Sequence, residues 1–127
     1  MAYNPVVWFE IYVSDMKRAQ AFYEKVLQVE MKPLPKPTGM DGFEMVAFPG
    51  NSENGGAMGA LVLMEGVPQG MAGTLVYFSC KDCGVEAARA KAAGGSIEKD
   101  KMSIEPYGYI ALCRDSEGNM FGLHSMA

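Results

Sequence analysis

The chain has 127 residues, of which 49% are hydrophobic and 20% are charged, a balance typical of one soluble globular domain. Its formal net charge of −4 removes the electrostatic basis for binding nucleic acid or an anionic membrane surface, and no apolar run approaches the roughly 20 residues that span a bilayer. The sequence shows no export signal and has three cysteines, an odd number, so we expect a cytoplasmic protein.

The first half predicts a strand, a helix and further strands. Residues 6–13 alternate between a wholly apolar face and a face that carries aromatic rings and one carboxylate, a pattern that favours a lined cavity on the second face. That second face comprises Val6, Trp8, Glu10 and Tyr12. Asp15 is a good N-cap, and apolar residues follow it at helical spacing as far as Leu27. A loop is predicted by Pro33, Pro35 and Pro37, and strands are predicted at residues 43–48 and 58–64.

The second half predicts the same order. A strand at 74–80 leads to Asp82 as N-cap, and Gly94 with Gly95 ends the helix that follows. Further strands are predicted near residues 96–99, 108–113 and 120–126. Residues 65–73 predict a linker. We therefore expect a single domain, 1–127, built from β-α-β-β-β modules at 5–65 and 73–127.

The two halves also repeat each other in sequence. Residues 8–15 (WFEIYVSD) have a counterpart in residues 75–82 (LVYFSCKD), where an apolar run again ends at Asp and a helical pattern follows. Such a period predicts a duplicated supersecondary unit rather than a solenoid. Positions at which the two copies differ in chemistry then point to a site.

Three motifs carry a resemblance to a known family. They are residues 9–19 (FEIYVSDMKRA) followed by Phe22 and Tyr23, the Ala93-Gly94-Gly95 helix end, and residues 107–111 (YGYIA) with 114–123 (RDSEGNMFGL). Together they resemble the vicinal oxygen chelate superfamily, which includes glyoxalase I, bleomycin resistance proteins and extradiol dioxygenases. The resemblance covers essentially the whole chain and is closest to the glyoxalase-like branch. It implies an α+β fold in which two βαβββ modules curl their mixed sheets into a cup around a small-molecule site. It also implies a homodimer.

In metal-using members of that superfamily, the first and last strands of each module supply the ligands. The internal repeat pairs Glu10 with Tyr77, and Leu61 with His124. Only Glu10 and His124 are good ligands, whereas a catalytic divalent site usually draws on three protein ligands and the iron triad needs two His. We therefore expect no cofactor. If a divalent ion such as Zn, Ni, Fe or Mn is bound, Glu10 and His124 are its candidate ligands, in an incomplete set.

Acid/base chemistry is the interpretation that the sequence favours. A carboxylate in an apolar cavity needs a partner, and Glu10 as base with His124 as acid would suit neutral pH, with Tyr77 donating to a substrate oxygen. The expected walls of the substrate site are Trp8, Tyr12, Leu61, Phe43, Tyr109 and Met120. A plain buried ion pair between Glu10 and His124 stays open.

The Cys80-Lys81-Asp82-Cys83 segment is a second candidate site. A Cys-x-x-Cys motif at a strand-to-helix junction can form a redox pair. The simpler interpretation makes Cys80 a strand core residue, with Cys83 where the first half has Met16. A structural zinc site formed by Cys80, Cys83, Cys113 and His124 would lack a second close ligand pair.

The expected function is therefore a glyoxalase-like isomerase or lyase that acts on a small oxygenated or carbonyl compound. Two alternatives stay open. One is a metal-independent protein that sequesters a ligand, as bleomycin resistance proteins do. The other is a metal-dependent lactoylglutathione lyase or dioxygenase.

Overall fold

The computed structural model describes residues 4–50, 56–67, 69–70 and 73–127. Within them the chain divides into an N-terminal unit, Trp8–Thr74, and a C-terminal unit, Leu75–Ala127 together with the residues up to Val7. Of the predicted linker 65–73, residues 68, 71 and 72 lie outside the described residues.

The first five elements follow the predicted order β-α-β-β-β. They are β1 (Val6–Tyr12), α1 (Met16–Leu27), β2 (Lys32–Leu34), β3 (Phe43–Ala47) and β4 (Met58–Met64). The strands lie in the order β2-β3-β4-β1, with β1 parallel to β4 and the other neighbours antiparallel.

The second five elements repeat this pattern. They are β5 (Thr74–Ser79), α2 (Cys83–Ala92), β6 (Ser96–Ser103), β7 (Tyr109–Arg114) and β8 (Met120–Ser125). The strands lie in the order β5-β8-β7-β6, with β5 parallel to β8 and the other neighbours antiparallel. The predicted α+β class and the two βαβββ modules are therefore confirmed.

Both helices begin where the sequence predicts. The Asp15 carboxylate accepts a hydrogen bond from the backbone N–H of Arg18, and the Asp82 carboxylate accepts one from that of Gly84. Each cap satisfies a backbone donor that the first turn of a helix leaves unpaired. In the described part of the chain, neither helix is long and apolar enough to cross a membrane.

The proline-rich segment after α1 differs from the prediction of a loop. Residues Lys32–Leu34 form β2, which pairs with β3 at the edge of its sheet. An edge strand tolerates Pro33 because the nitrogen that cannot donate does not have to face a neighbouring strand.

Each sheet packs one face against its own helix. In the N-terminal unit, Leu61 and Val46 cluster with Met16 and Met31, and Ile11 packs against them. In the C-terminal unit, Leu123 and Ala111 cluster with Cys83 and Ala87 of α2, and Phe78 packs against them. We call these the helix faces. Because side chains alternate along a strand, the residues between them point to the opposite side of each sheet, which we call the far face.

Candidate functional site

Three consecutive far-face residues of β1 form a hydrogen-bonded group around one carboxylate. Glu10 is only 8% exposed. Its Oε2 accepts a hydrogen bond from Nε1 of Trp8 at 3.1 Å, and its Oε1 accepts one from the hydroxyl of Tyr12 at 2.5 Å. The strand repeat of two residues places all three side chains on one face, so β1 alone builds this arrangement.

Burial raises the pKa of Glu10 above its ordinary value, and the hydrogen bonds from Tyr12 and Trp8 oppose this rise in part. The cause is the loss of water around the ionised carboxylate, which two neutral donors replace incompletely. A carboxyl with a raised pKa holds a proton more readily than an exposed one. This is the property that a general base or acid working nearer neutral pH requires.

The neighbouring strands supply apolar surroundings. In the register of β1 with β4, Ala60 lies opposite Glu10 and Val62 lies opposite Tyr12, and both are fully buried. Met45 of β3, which pairs with Val62, is 6% exposed. These side chains explain why the carboxylate loses its hydration without gaining a charged partner from β3 or β4.

The far face of the C-terminal unit carries Tyr77, His124 and Met120. His124 is half-buried, and its Nε2 lies 2.5 Å from the carbonyl oxygen of Tyr107. A carbonyl only accepts, so Nε2–H is the donor, and Nδ1 is the accepting nitrogen of the neutral ring. The predicted contact between Glu10 and His124 would join the two units and stays a prediction.

Tyr77 lies directly over a glycine of the adjacent strand. The two are register partners, and a Cβ on Gly122 would come within 2.3 Å of the Tyr77 ring. No other residue leaves room for the ring in this position, so Gly122 fixes where Tyr77 lies. This role of Gly122 was not predicted from the sequence, although a lone glycine inside a predicted strand is a recognised signal of close approach.

Two of the expected wall residues lie on helix faces. Leu61 is fully buried in the cluster against α1, and Tyr109 packs against the cluster around α2, with Nζ of Lys101 at 4.7 Å from its ring centroid. The strand register also differs from the predicted alignment of Leu61 with His124. The residue of β4 that matches His124 of β8 by register, and that lies on the far face, is Val62.

Phe43 is the far-face partner of Met64 at the end of the N-terminal sheet. It lines a cavity of about 580 Å³ that Val13, Glu44, Leu63 and Val67 also border. Trp8, Glu10 and Tyr12 do not border this cavity. None of the residues that line this cavity is a buried ionisable group, whereas Glu10 is buried.

The Cys80-Lys81-Asp82-Cys83 segment holds two free thiols and no disulfide. All three are free thiols, and burial is the main cause that raises the pKa of Cys80 to about 11 and also raises that of Cys113. A reactive cysteine has a lowered pKa, so the Cys80 thiol has the opposite character. Its sulfur lies 3.5 Å from the carbonyl oxygen of His124, to which it donates.

The side chains available do not fit a divalent metal site. Within residues 4–50, 56–67, 69–70 and 73–127, no three His, Cys, Asp or Glu side chains come together. Both oxygens of Glu10 hold hydrogen bonds, and one nitrogen of His124 is bound to Tyr107. A catalytic divalent site normally takes three protein ligands, which is more than Glu10 and His124 supply.

Comparisons with known proteins identify the family. The family model of the Glyoxalase/Bleomycin resistance protein/Dioxygenase superfamily matches residues 6–123. The protein named "Putative glyoxylase CFP32" from Mycobacterium bovis is 30% identical over 118 residues, which are 93% of this chain and 42% of that protein. The chain thus spans less than half the length of this curated relative.

Solved structures share the fold at low sequence identity. Methylmalonyl-CoA epimerase from Mycobacterium tuberculosis matches with a TM-score of 0.67 and 16% identity, over 100% of this chain and 93% of that one. A variant of the Streptomyces coelicolor epimerase in complex with 2-nitronate-propionyl-CoA matches with a TM-score of 0.65 and 18% identity, over 99% of both chains. By its family model, and in agreement with its fold, this chain belongs to the Glyoxalase/Bleomycin resistance protein/Dioxygenase superfamily.

Proposed function

We propose that this protein is an acid/base enzyme of the isomerase or lyase type, and that Glu10 is its general base. The observation that carries the proposal is a carboxyl that is 8% exposed, lies beside the apolar side chains of β4 and is hydrogen-bonded only to neutral donors of its own strand among the bonds described. A carboxylate that serves only to stabilise the fold gains more stability from a cationic partner than from an indole and a phenol. A general base, in contrast, must be able to take up a proton, which a cationic partner would oppose.

The substrate class that suits this base is a small carbonyl compound with an acidic C–H bond next to the carbonyl. Glu10 takes the proton, the C–H bond breaks, and its electron pair moves to the carbonyl oxygen to form an enolate. Returning the proton to carbon gives the isomer, so the step needs no oxidant. Related structures of methylmalonyl-CoA epimerase support this class, and a CoA thioester is one candidate substrate.

The enolate oxygen needs hydrogen-bond donors, and in this proposal the Tyr77 phenol donates to it. His124 is proposed as the acid or orienting partner. Because its Nε2–H donates to the Tyr107 carbonyl, its role as an acid requires a proton on Nδ1. Tyr77 is 6% exposed and lies against Gly122, so its ring is held in place before a substrate arrives. Met120 and Phe43 are proposed as apolar contacts for the rest of the substrate.

Solvent deuterium exchange tests the function directly. The protein is incubated in D₂O with a panel of small 2-oxo acids, 2-hydroxy ketones and CoA thioesters, including methylmalonyl-CoA, and proton NMR follows the loss of the α-proton signal. We expect exchange of at least one compound by the wild type and loss of that exchange in Glu10→Gln. Glu30→Gln, which changes an exposed glutamate, is the matched control. Undiminished exchange in Glu10→Gln would rule out its role as base.

A protein that only binds its ligand is the second candidate. It is favoured by the engagement of both Glu10 oxygens with Trp8 and Tyr12, because such a network also stabilises a rigid aromatic wall. A panel compound that raises the melting temperature and is recovered unchanged, without deuterium, would favour sequestration. Elemental analysis tests the metal-dependent alternatives, and size-exclusion chromatography tests the homodimer that the family resemblance implies.

A further inference from the structure

We propose that Oε1 is the oxygen of Glu10 that accepts the proton, that Trp8 is a positioning residue which keeps Oε2 in the accepting role, and that the proton passes through the Tyr12 hydroxyl. This assignment of roles rests on the proposed function, because it describes how the same carboxyl gains and loses its proton. It follows from the different hydrogen-bonding capacities of the two neighbours.

Trp8 restricts what Oε2 can do. The indole Nε1–H, at 3.1 Å from Oε2, is a donor and never an acceptor. A proton on Oε2 would therefore point one donor at another, and the part-buried indole N–H would lose its acceptor. Two opposed donors at a carboxyl that is only 8% exposed are unfavourable, so protonation at Oε2 is disfavoured.

Tyr12 places no such restriction on Oε1. A phenolic hydroxyl both donates and accepts, and the Tyr12 oxygen lies 2.5 Å from Oε1. When Glu10 is ionised, Tyr12 donates to Oε1. When Glu10 is protonated, Oε1–H donates to the Tyr12 oxygen while Oε2 still accepts from Trp8. Each oxygen of Glu10 thus keeps its hydrogen bond in both protonation states. The bond at Oε1 reverses, and the hydroxyl hydrogen of Tyr12 turns away from Oε1.

The same reversal makes a proton relay. The substrate proton bonds to the Tyr12 oxygen as the hydroxyl proton of Tyr12 moves to Oε1. The C–H bond breaks, its electron pair enters the enolate, and both Tyr12 and Glu10 end the step uncharged. The reverse movement returns a proton to carbon, so atoms and electrons balance without a further reactant.

The neighbouring strands of the N-terminal unit offer no competing polar side chain next to this group. Ala60 and Val62 of β4 face Glu10 and Tyr12, and Met45 of β3 lies beyond them on the same face. Among the side chains of this unit that the hydrogen bonds describe, Trp8 and Tyr12 are the polar neighbours of the two oxygens.

Difference infrared spectroscopy tests the assignment without a substrate. The carbonyl stretch of protonated Glu10 is isolated by subtracting the spectrum of Glu10→Gln from that of each protein at acidic pH. If Oε2 is the carbonyl oxygen, Trp8→Phe removes its donor and the band moves to higher wavenumber. Tyr12→Phe, the matched control, leaves the band close to its wild-type position. A band that moves in Tyr12→Phe but stays in place in Trp8→Phe would overturn the proposal, as would a band that moves in neither.

A measurement on the wild type covers the case in which a variant fails to fold. Trp8 is the one tryptophan of the sequence, so its indole N–H gives a single NMR signal. After correction for the intrinsic pH dependence of exchange, we expect equal protection of this N–H from hydrogen exchange on both sides of the Glu10 transition. Protection lost on acidification would place the proton on Oε2 and refute the assignment. Neither experiment involves turnover. A result that refutes the roles of the two oxygens is therefore distinguishable from a failure of the proposed function in the deuterium-exchange test.

Discussion

Replacing Glu10 with Gln should stabilise the protein at neutral pH. The amide has the shape of a protonated carboxyl, and each of its two polar groups can still bond one neighbour. Its oxygen accepts from the Trp8 indole, and its NH₂ group donates to the Tyr12 hydroxyl. The substitution therefore keeps the packing and both hydrogen bonds but removes the burden of holding an ionised group away from water.

The size of this stabilisation follows from the linkage between proton binding and folding. Burial raises the pKa of Glu10 in the folded protein above the ordinary value of 4.5, so the unfolded chain ionises first as the pH increases. The unfolded state then binds fewer protons than the native state, and stability falls with increasing pH. For one carboxyl the limiting slope is about 1.4 kcal/mol per pH unit, which applies from pH 4.5 up to the native pKa of Glu10.

Urea denaturation at a series of pH values measures this effect. The free energy of unfolding of Glu10→Gln minus that of the wild type should be constant at acidic pH, increase above pH 4.5, and level off once native Glu10 is ionised. The exposed Glu30→Gln variant should show no such increase. A difference that stays flat, or decreases with pH, would refute the claim that the fold disfavours the Glu10 anion.

Three further outcomes are expected. Gly122→Ala should reduce the free energy of unfolding by about 1–3 kcal/mol and should also reduce turnover, because a Cβ within 2.3 Å of the Tyr77 ring displaces that ring. An unchanged urea midpoint would contradict the close approach. Leu61→Ala should reduce the free energy of unfolding by about 2–5 kcal/mol, since the side chain is fully buried on the helix face. A loss well under about 1 kcal/mol, as expected of a surface position, would contradict that packing. Cys80, with its pKa at about 11, should react with iodoacetamide at mildly alkaline pH about two orders of magnitude more slowly than an unperturbed thiol, and comparable rates would contradict this environment.

The sequence predicted the elements whose signals are local. The alternation of β1 placed Trp8, Glu10 and Tyr12 on one face, and Asp15 and Asp82 marked the helix starts. The short strand β2 escaped prediction because Pro33 is a poor strand former, and only its place at a sheet edge makes it acceptable there.

The assignment of faces in the last strand of the first module was harder to predict. The repeat aligned Gly59 with Gly122, and both glycines do lie beneath an aromatic ring. Gly59, however, lies beneath Phe9 on the helix face, whereas Gly122 lies beneath Tyr77 on the far face. A shift of one residue reverses every side chain of a strand, so an alignment by glycines placed Leu61 on the wrong side. Only the register of β1 with β4 shows that Val62 takes the far-face position.

Titration of the Trp8 indole N–H by two-dimensional NMR tests the central claim most directly, because this group donates to the Glu10 carboxylate. Its chemical shift should follow one ionisation whose midpoint lies above 4.5, and this step should be absent in Glu10→Gln. A midpoint at or below 4.5, or a step that persists in Glu10→Gln, would contradict a buried carboxyl that is ready to take up a proton.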